Sequence, residues 1–499
     1  MPLIPLDLPP GVFRNGTAYQ SRGRWFASRL VRWFERALGP FGGWRHVDAA
    51  ATMPGPGRGM LCWKPASYSR SAVLGSPSKL KVWDGDALID ITPAGFPAGV
   101  TDSFQGPGYG FGLYGVGPYG VSTGAAGFTA TTWSFDTWGD FVNGVASHSG
   151  VVYEYDNDGA PAQPVANAPL ARAGLFVTAE RALVLLGVSG DMRRAVWSDF
   201  EDNTQYTPSP SNAAGDFRFQ TDGMLVTGRR LLRGGNLILT TVDAWRMNFI
   251  GGVLIYQFEP IASGCGAVGP LAVQTIENGA VWMGHQNFFA YDGVQVKPIS
   301  CELRDYVFND INLVQAAKFH CGRIDSFGEV LFFYCSAGSN TINRCVLYNY
   351  REGHWSIVDP DGAMPRGCWA DVGAFRFPMA VGEDGKLYEH ESGWTANGTP
   401  ILSGRYAEAG PTEAGEGDRV VCVKQVVPDE ATFGQMQFRL YGRFTPNGTV
   451  TTSGPYPVTQ PYVDVRATAR QFGIRLEALA DDNFRFGRQR MNATLGGER

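Results

Sequence analysis

A short β-type run built around Trp or Tyr, most copies turning at Asp, Asn or Gly, recurs through the middle of the chain and limits the fold more than any other feature. The copies are Lys79–Gly85, Val151–Gly159, Ala195–Asp199, Val242–Trp245, Phe289–Gly293, Val346–Tyr350 and Lys386–His390. After a long first gap they stand about 40 to 55 residues apart, the period of a propeller blade, in which a four-stranded sheet buries its faces only by stacking on neighbours. The fullest copy sits in Val281–Asn312. There an Asp292-Gly293 turn joins two strand patterns, and the run ends in an aromatic, acidic stretch with the look of one helical turn. Runs such as Ala182–Leu186, Asn236–Thr241 and Glu329–Tyr334 supply further strands. About 340 residues at this period give six or seven blades; an array of β-sandwiches is the competing arrangement. Gly (65) and Pro (31) together make about a fifth of the 499 residues, which suits many short strands and turns. The expected fold is therefore all-β.

The flanks read differently. Residues 1–50 read as an extended N-terminal arm, with Arg14, Arg22, Arg24, Arg29, Arg32, Arg36 and Arg45 set among Phe13, Tyr19, Trp25, Phe26, Trp33, Phe34, Phe41 and Trp44. Arg beside Trp suits either a nucleic-acid surface or a docking arm whose aromatics fill a neighbour's pockets. The net charge of −5 leaves no extended basic footprint, which favours docking. Residues 51–397 form the repeat domain. It is interrupted by a Gly/Tyr-rich loop at 106–127, whose Tyr109, Tyr114 and Tyr119 have too little neighbouring side chain to build a core. Residues 398–499 alternate as half-buried strands at 420–423, 436–441, 463–466 and 472–477, a separate C-terminal β-sandwich. Its Arg-rich end, RFGRQRMNATLGGER, reads as a surface or interface. The interface candidates are Arg22, Arg24, Trp25, Arg32, Trp33, Arg36, Trp44, Tyr109, Tyr114 and Tyr119.

The chain offers little chemistry. Its six histidines show no HExxH or HxH spacing, no GxSxG elbow is present, and no phosphate-binding GxxxxGK[ST] occurs. Asp156–Asp158 and Glu201-Asp202 lack the spacing of a calcium loop and read as turn residues. The eight widely spaced cysteines read as reduced thiols. No catalytic, cofactor or metal site is expected, and the chain is not expected to be an enzyme. The start MPLIPLDLPPG lacks the charged and apolar regions of a signal peptide.

In order along the chain, the strings SKLKVWDGDALIDITPAGF, WSFDTWGDFVNG, WSDFEDNTQYTPSPSNAAGDF, VWMGHQNFFAYDGVQVKPISCELRDYVFNDIN, EVLFFYCS, NYREGHWSI and GKLYEHESGW resemble the tail nozzle or hub proteins of short-tailed bacteriophages, also called phage stabilisation proteins. GVFRNGTAYQSRGRW and the Gly/Tyr loop fit the same resemblance. It implies a propeller-bearing structural subunit of the virion tail, assembled in the host cytoplasm. Six copies would form a ring beneath the portal and adaptor proteins, beside fibres or tailspikes, and contribute to the channel that retains the viral DNA and passes it into the host without sequence-specific binding. The alternative is a propeller that binds or degrades carbohydrate.

Overall fold

A computed structural model describes residues 3–48, 50–66, 70–105, 127–252, 254–371, 373–413, 419–428 and 434–498. Seven four-stranded antiparallel sheets follow one another: blade 1 (60–90), blade 2 (133–164), blade 3 (171–218), blade 4 (225–263), blade 5 (273–298), blade 6 (320–359) and blade 7 (366–390), the last completed by Trp44–His46. The first strands of blades 1 to 4 lie side by side, as do those of blades 5 to 7, and blade 7 meets blade 1. Blades 4 and 5 share a core around Leu237, Leu239, Val273 and Trp282. The molecule is a seven-bladed β-propeller carrying a β-sandwich. Every copy of the recurring run falls on the third strand of its blade.

The strand chemistry explains the stacking. Successive side chains of a strand point to opposite faces, so a middle strand needs apolar residues on both when each face is covered. In blade 3, Leu183 and Leu185 pack toward blade 2 with Trp138 and Val145. Val184 and Leu186 pack toward blade 4 with Ile238 and Trp245. The unbroken apolar run is thus one strand serving two cores. Large rings fill the gaps between blades, and several spend their indole N–H on a carbonyl, as buried Trp usually does: Trp133 donates to Ser76 at 2.8 Å, Trp197 to Ala213 at 2.8 Å and Trp282 to Cys265 at 2.7 Å.

Within Val281–Asn312 the anticipated hairpin is present. Phe288–Tyr291 and Val296–Pro298 pair across Asp292-Gly293, and Arg304–Phe308 is a short α-helix. Asp292 Oδ1 accepts the amides of Val294 and Gln295 at 2.9 and 2.8 Å, and Gly293 has φ +94° with little near its absent Cβ. Replacing Gly293 by Val should cost about 1 kcal/mol or more through the backbone alone, read as a lowered urea midpoint.

The 1–50 arm is not extended. Leu3–Leu6 pairs with Gln489–Glu498 at the edge of one sandwich sheet, whose order continues through Arg419–Val427 to Val463–Ala469. Trp25–Arg29 pairs with Tyr406–Ala409 at the edge of the other, which continues through Gln471–Ala478 and Met436–Arg443 to Thr451–Pro457. Between them Val31–Phe34 and Ala37–Pro40 form a hairpin, and Trp44–His46 closes the propeller. The sandwich at 398–499 is thus completed by N-terminal strands. Its Arg-rich end does present arginines to the surface, with Arg485, Arg488 and Arg490 exposed, but Gln489–Glu498 is also a sheet strand with Gln489, Met491 and Ala493 inward. One continuous apolar cluster runs from blades 5, 6 and 7 through Trp25, Trp33 and Phe41 into Val421, Phe438 and Leu476 of the sandwich. Among the described residues no helix is long and apolar enough to cross a membrane.

Candidate assembly and channel surfaces

The aromatic anchors of the N-terminal segment are used inside the chain. Trp33 is 1% exposed, its ring 5.7 Å from Trp25 and edge-on to His354. Trp44 lies in the closing strand, tilted over His390 at 5.9 Å. Trp25, Trp33 and Trp44 therefore offer no surface to a second molecule. The sequence shows that these rings need pockets, and the chain supplies the pockets itself.

Arg32 is buried too. Its guanidinium lies between the Phe41 and Phe327 rings, 4.5 and 4.0 Å from their centroids. It forks onto Glu391 (Nη1–Oε2 3.1 Å, Nη2–Oε1 2.5 Å) and reaches Glu329 at 3.4 Å. Burial opposes its charge, but Glu329 and Glu391 outweigh that and hold its pKa above the usual value. Glu329 is fully buried, and neither carboxyl oxygen has a hydrogen-bond partner. Burial pushes its pKa up to about 8, against the pull of Arg32 and with the push of Glu391 and Glu352. Two carboxyls on one guanidinium leave one of them uncompensated, and an acid so placed keeps its proton.

The remaining candidates divide. Arg24 is half-buried and bonded to Glu302, while Arg22 is exposed, 3.8 Å from Glu413. Arg36 is exposed in the hairpin turn, where Glu35 and Arg36 have φ +48° and +64°. Tyr109, Tyr114 and Tyr119 lie outside the described residues. Of the Gly/Tyr loop, the described flanks are pinned together by paired Phe104 and Phe128 amides and carbonyls at 2.8 and 2.9 Å. Ser103 exchanges two 2.9 Å bonds with Gln315, which ties this insertion to the approach to blade 6. The acids weighed for calcium cap turns: Asp158 accepts the Ala160 amide and Asp202 the Thr204 amide. Among the described residues no three His, Cys, Asp or Glu side chains converge as a metal site requires.

Ring closure has an electrostatic bolt that sequence reading missed. Arg58, fully buried ahead of blade 1, forks onto Glu383 of blade 7 at 2.9 and 3.1 Å. The two residues lie at opposite ends of the repeat, so no local pattern marks the pair.

The propeller axis carries two cavities. One, about 410 Å3, is lined by first-strand residues of all seven blades, including Met60, Phe135, Phe176, Arg229, His320 and Trp369. Burial drives the pKa of His320 down to about 3, so its ring is neutral. The other, about 960 Å3, opens at the opposite end between Phe128, Met224, Val268, Leu313 and Val314. His285 is exposed on its rim. Phe176 lies against Gly228 of blade 4 and Trp369 against Gly322 of blade 6, so both rings fill seams between blades at the wall of the smaller cavity.

No protein-family model matches the chain, and no curated protein matches it. Among solved structures the chain is similar to YCF48 bound to D1 peptide, with 8% sequence identity and a TM-score of 0.42 over 73% of this chain and 97% of that one. It is also similar to YCF48 from Cyanidioschyzon merolae, with 9% identity and a TM-score of 0.40 over 70% of this chain and 98% of that one. Neither likeness carries an argument about function.

Proposed function

We propose that this chain is a structural subunit of a short-tailed phage tail, a nozzle or hub protein that assembles as a ring beneath the portal and adaptor, and that it is not an enzyme. The observation that carries the reading is the ordered set of nozzle-like strings along the chain, which fall on blade strands and their turns. Two physical features support it. The N-terminal segment fastens propeller and sandwich through one apolar cluster, as suits a load-bearing subunit. In such a ring the DNA path lies between copies, where a net charge of −5 avoids strong phosphate attraction.

Negative-stain images of the purified chain, or of tails carrying it, should show rings with a central hole. Monomers that bind or cleave host polysaccharide, with no ring on tails, would overturn the proposal in favour of a carbohydrate-active propeller.

A further inference from the structure

We propose that the apolar hairpin tip of blade 4, on one face of the propeller, seats in the apolar bowl on the opposite face of a second copy of this chain, an inference that rests on the ring reading above. The two features are on opposite faces by topology. In each blade the turns joining strands one to two and three to four emerge at one end, and the turns joining two to three and blade to blade emerge at the other. The tip joins Asp243–Phe249 to Tyr256–Ser263, the third and fourth strands of blade 4. The bowl is lined by first-strand starts and by the second-to-third and inter-blade connections, among them Met224, Thr241, Val268 and Leu313. In one molecule they cannot meet.

Each half is an apolar feature that the described residues leave uncovered. Leu254 is 70% and Ile250 50% exposed, and the sequence from Met247 to Tyr256 contains no charge. Leu232, 62% exposed, stands on the same face. Exposed apolar side chains grouped in this way mark contact sites. Phe249 stacks edge-on with Phe200 and Tyr256, at 5.8 and 5.9 Å, so the tip is braced before it binds, which lowers the ordering cost of association. The bowl encloses about 960 Å3, and no carboxylate lines it; its charged or titratable groups are Arg172, His148 and His285. An uncharged tip and a bowl without acids match in polarity, and one chain supplies both. The contact is heterologous, and such a contact repeated by rotation builds a ring where the rotation closes and a filament where it does not. The tip is its anchor, with the surrounding rims supplying the rest of the area.

The test uses two full-length variants, Leu254→Cys and Val314→Cys, mixed under mild oxidation. A reducible dimer that forms in the mixture, beyond what either variant forms alone, is expected. Leu254→Asp should weaken self-association at least tenfold by sedimentation equilibrium while leaving the melting temperature unchanged, because the side chain faces solvent. Multimers that form without the cross-link and tolerate Leu254→Asp overturn the inference and leave the ring reading standing. A chain that stays monomeric in solution and forms no ring on tails overturns both. A cross-link that appears only after residues 106–126 are deleted assigns the bowl to that segment. Flotation with phosphatidylcholine vesicles that is lost in Leu254→Asp, with self-association unchanged, assigns the tip to a lipid surface. Either result overturns the inference for the intact chain.

Discussion

Deleting residues 1–46 is expected to leave no folded protein, rather than a folded chain that fails to assemble. The cut removes a strand from three sheets at once: the closing strand of blade 7 and one edge of each sandwich sheet. It also strips Trp25, Trp33 and Phe41 from the cluster that joins the two parts, and leaves Glu391 and Arg405 without Arg32 and the Phe41 carbonyl. The expected readout is insoluble product or a chain without a cooperative unfolding transition. A soluble product with the full-length melting profile would show that the N-terminal strands are dispensable. Trp33→Ala separates packing from chain loss. Truncating a buried Trp costs about 3–5 kcal/mol, a large fraction of a typical domain's stability, and should shift the urea transition accordingly; a shift within error would mean that the ring is not part of the core.

Glu329→Gln should stabilise the protein, and more so at pH 8 than at pH 5. The ordinary Glu value is 4.5 and burial raises that of Glu329 to about 8, so between those pH values the folded state keeps a proton that the unfolded state has released. Linkage then makes wild-type stability fall as pH rises from about 4.5 to about 8, after which the penalty stays constant. Glutamine has nearly the same shape and no charge to bury. It removes that slope and leaves Arg32 forked on Glu391. The gain at pH 8 is on the order of a few kcal/mol. Melting temperatures of both proteins across pH 5–8 should diverge with rising pH; parallel curves would sink the assignment of Glu329 as a buried neutral acid.

The propeller was legible because its signal is local and repeated. An aromatic third strand followed by a turn marks each of the seven blades, and the apolar middle strands of blades 3, 4 and 6 could be read directly from Leu183, Ile238 and Leu331. The strands at 419–427, 436–443, 463–469 and 471–478 could be found from their alternation. The N-terminal strands could not. Trp44–His46 is three residues long, too short for a period to show, and its Arg and Trp content is shared by arms that dock in trans. At the other terminus Gln489, Met491 and Ala493 do alternate inward, but small and polar side chains hide a two-residue period. The candidate surfaces were less legible still. Arg58 and Glu383 meet only because the circle closes, and Arg32 and Glu329 only because the N-terminal hairpin packs on blade 6. The bowl is assembled from turns of most blades, so none of its residues stands out alone.

The closing arrangement also sets an order of events during synthesis. Leu3 pairs with Asn492, Trp25 with Ala409 and Trp44 with His390, so these early strands leave the ribosome well before the distant partners they wait for. Contacts this distant in sequence pay their loop-closure entropy before any packing repays it. Until then the segment's tryptophans and open strand edges stand exposed, the condition under which nascent chains aggregate. Completion of the circle and the sandwich is therefore a late, joint step, and translation halted before residue 387 leaves a propeller with no closed state to reach.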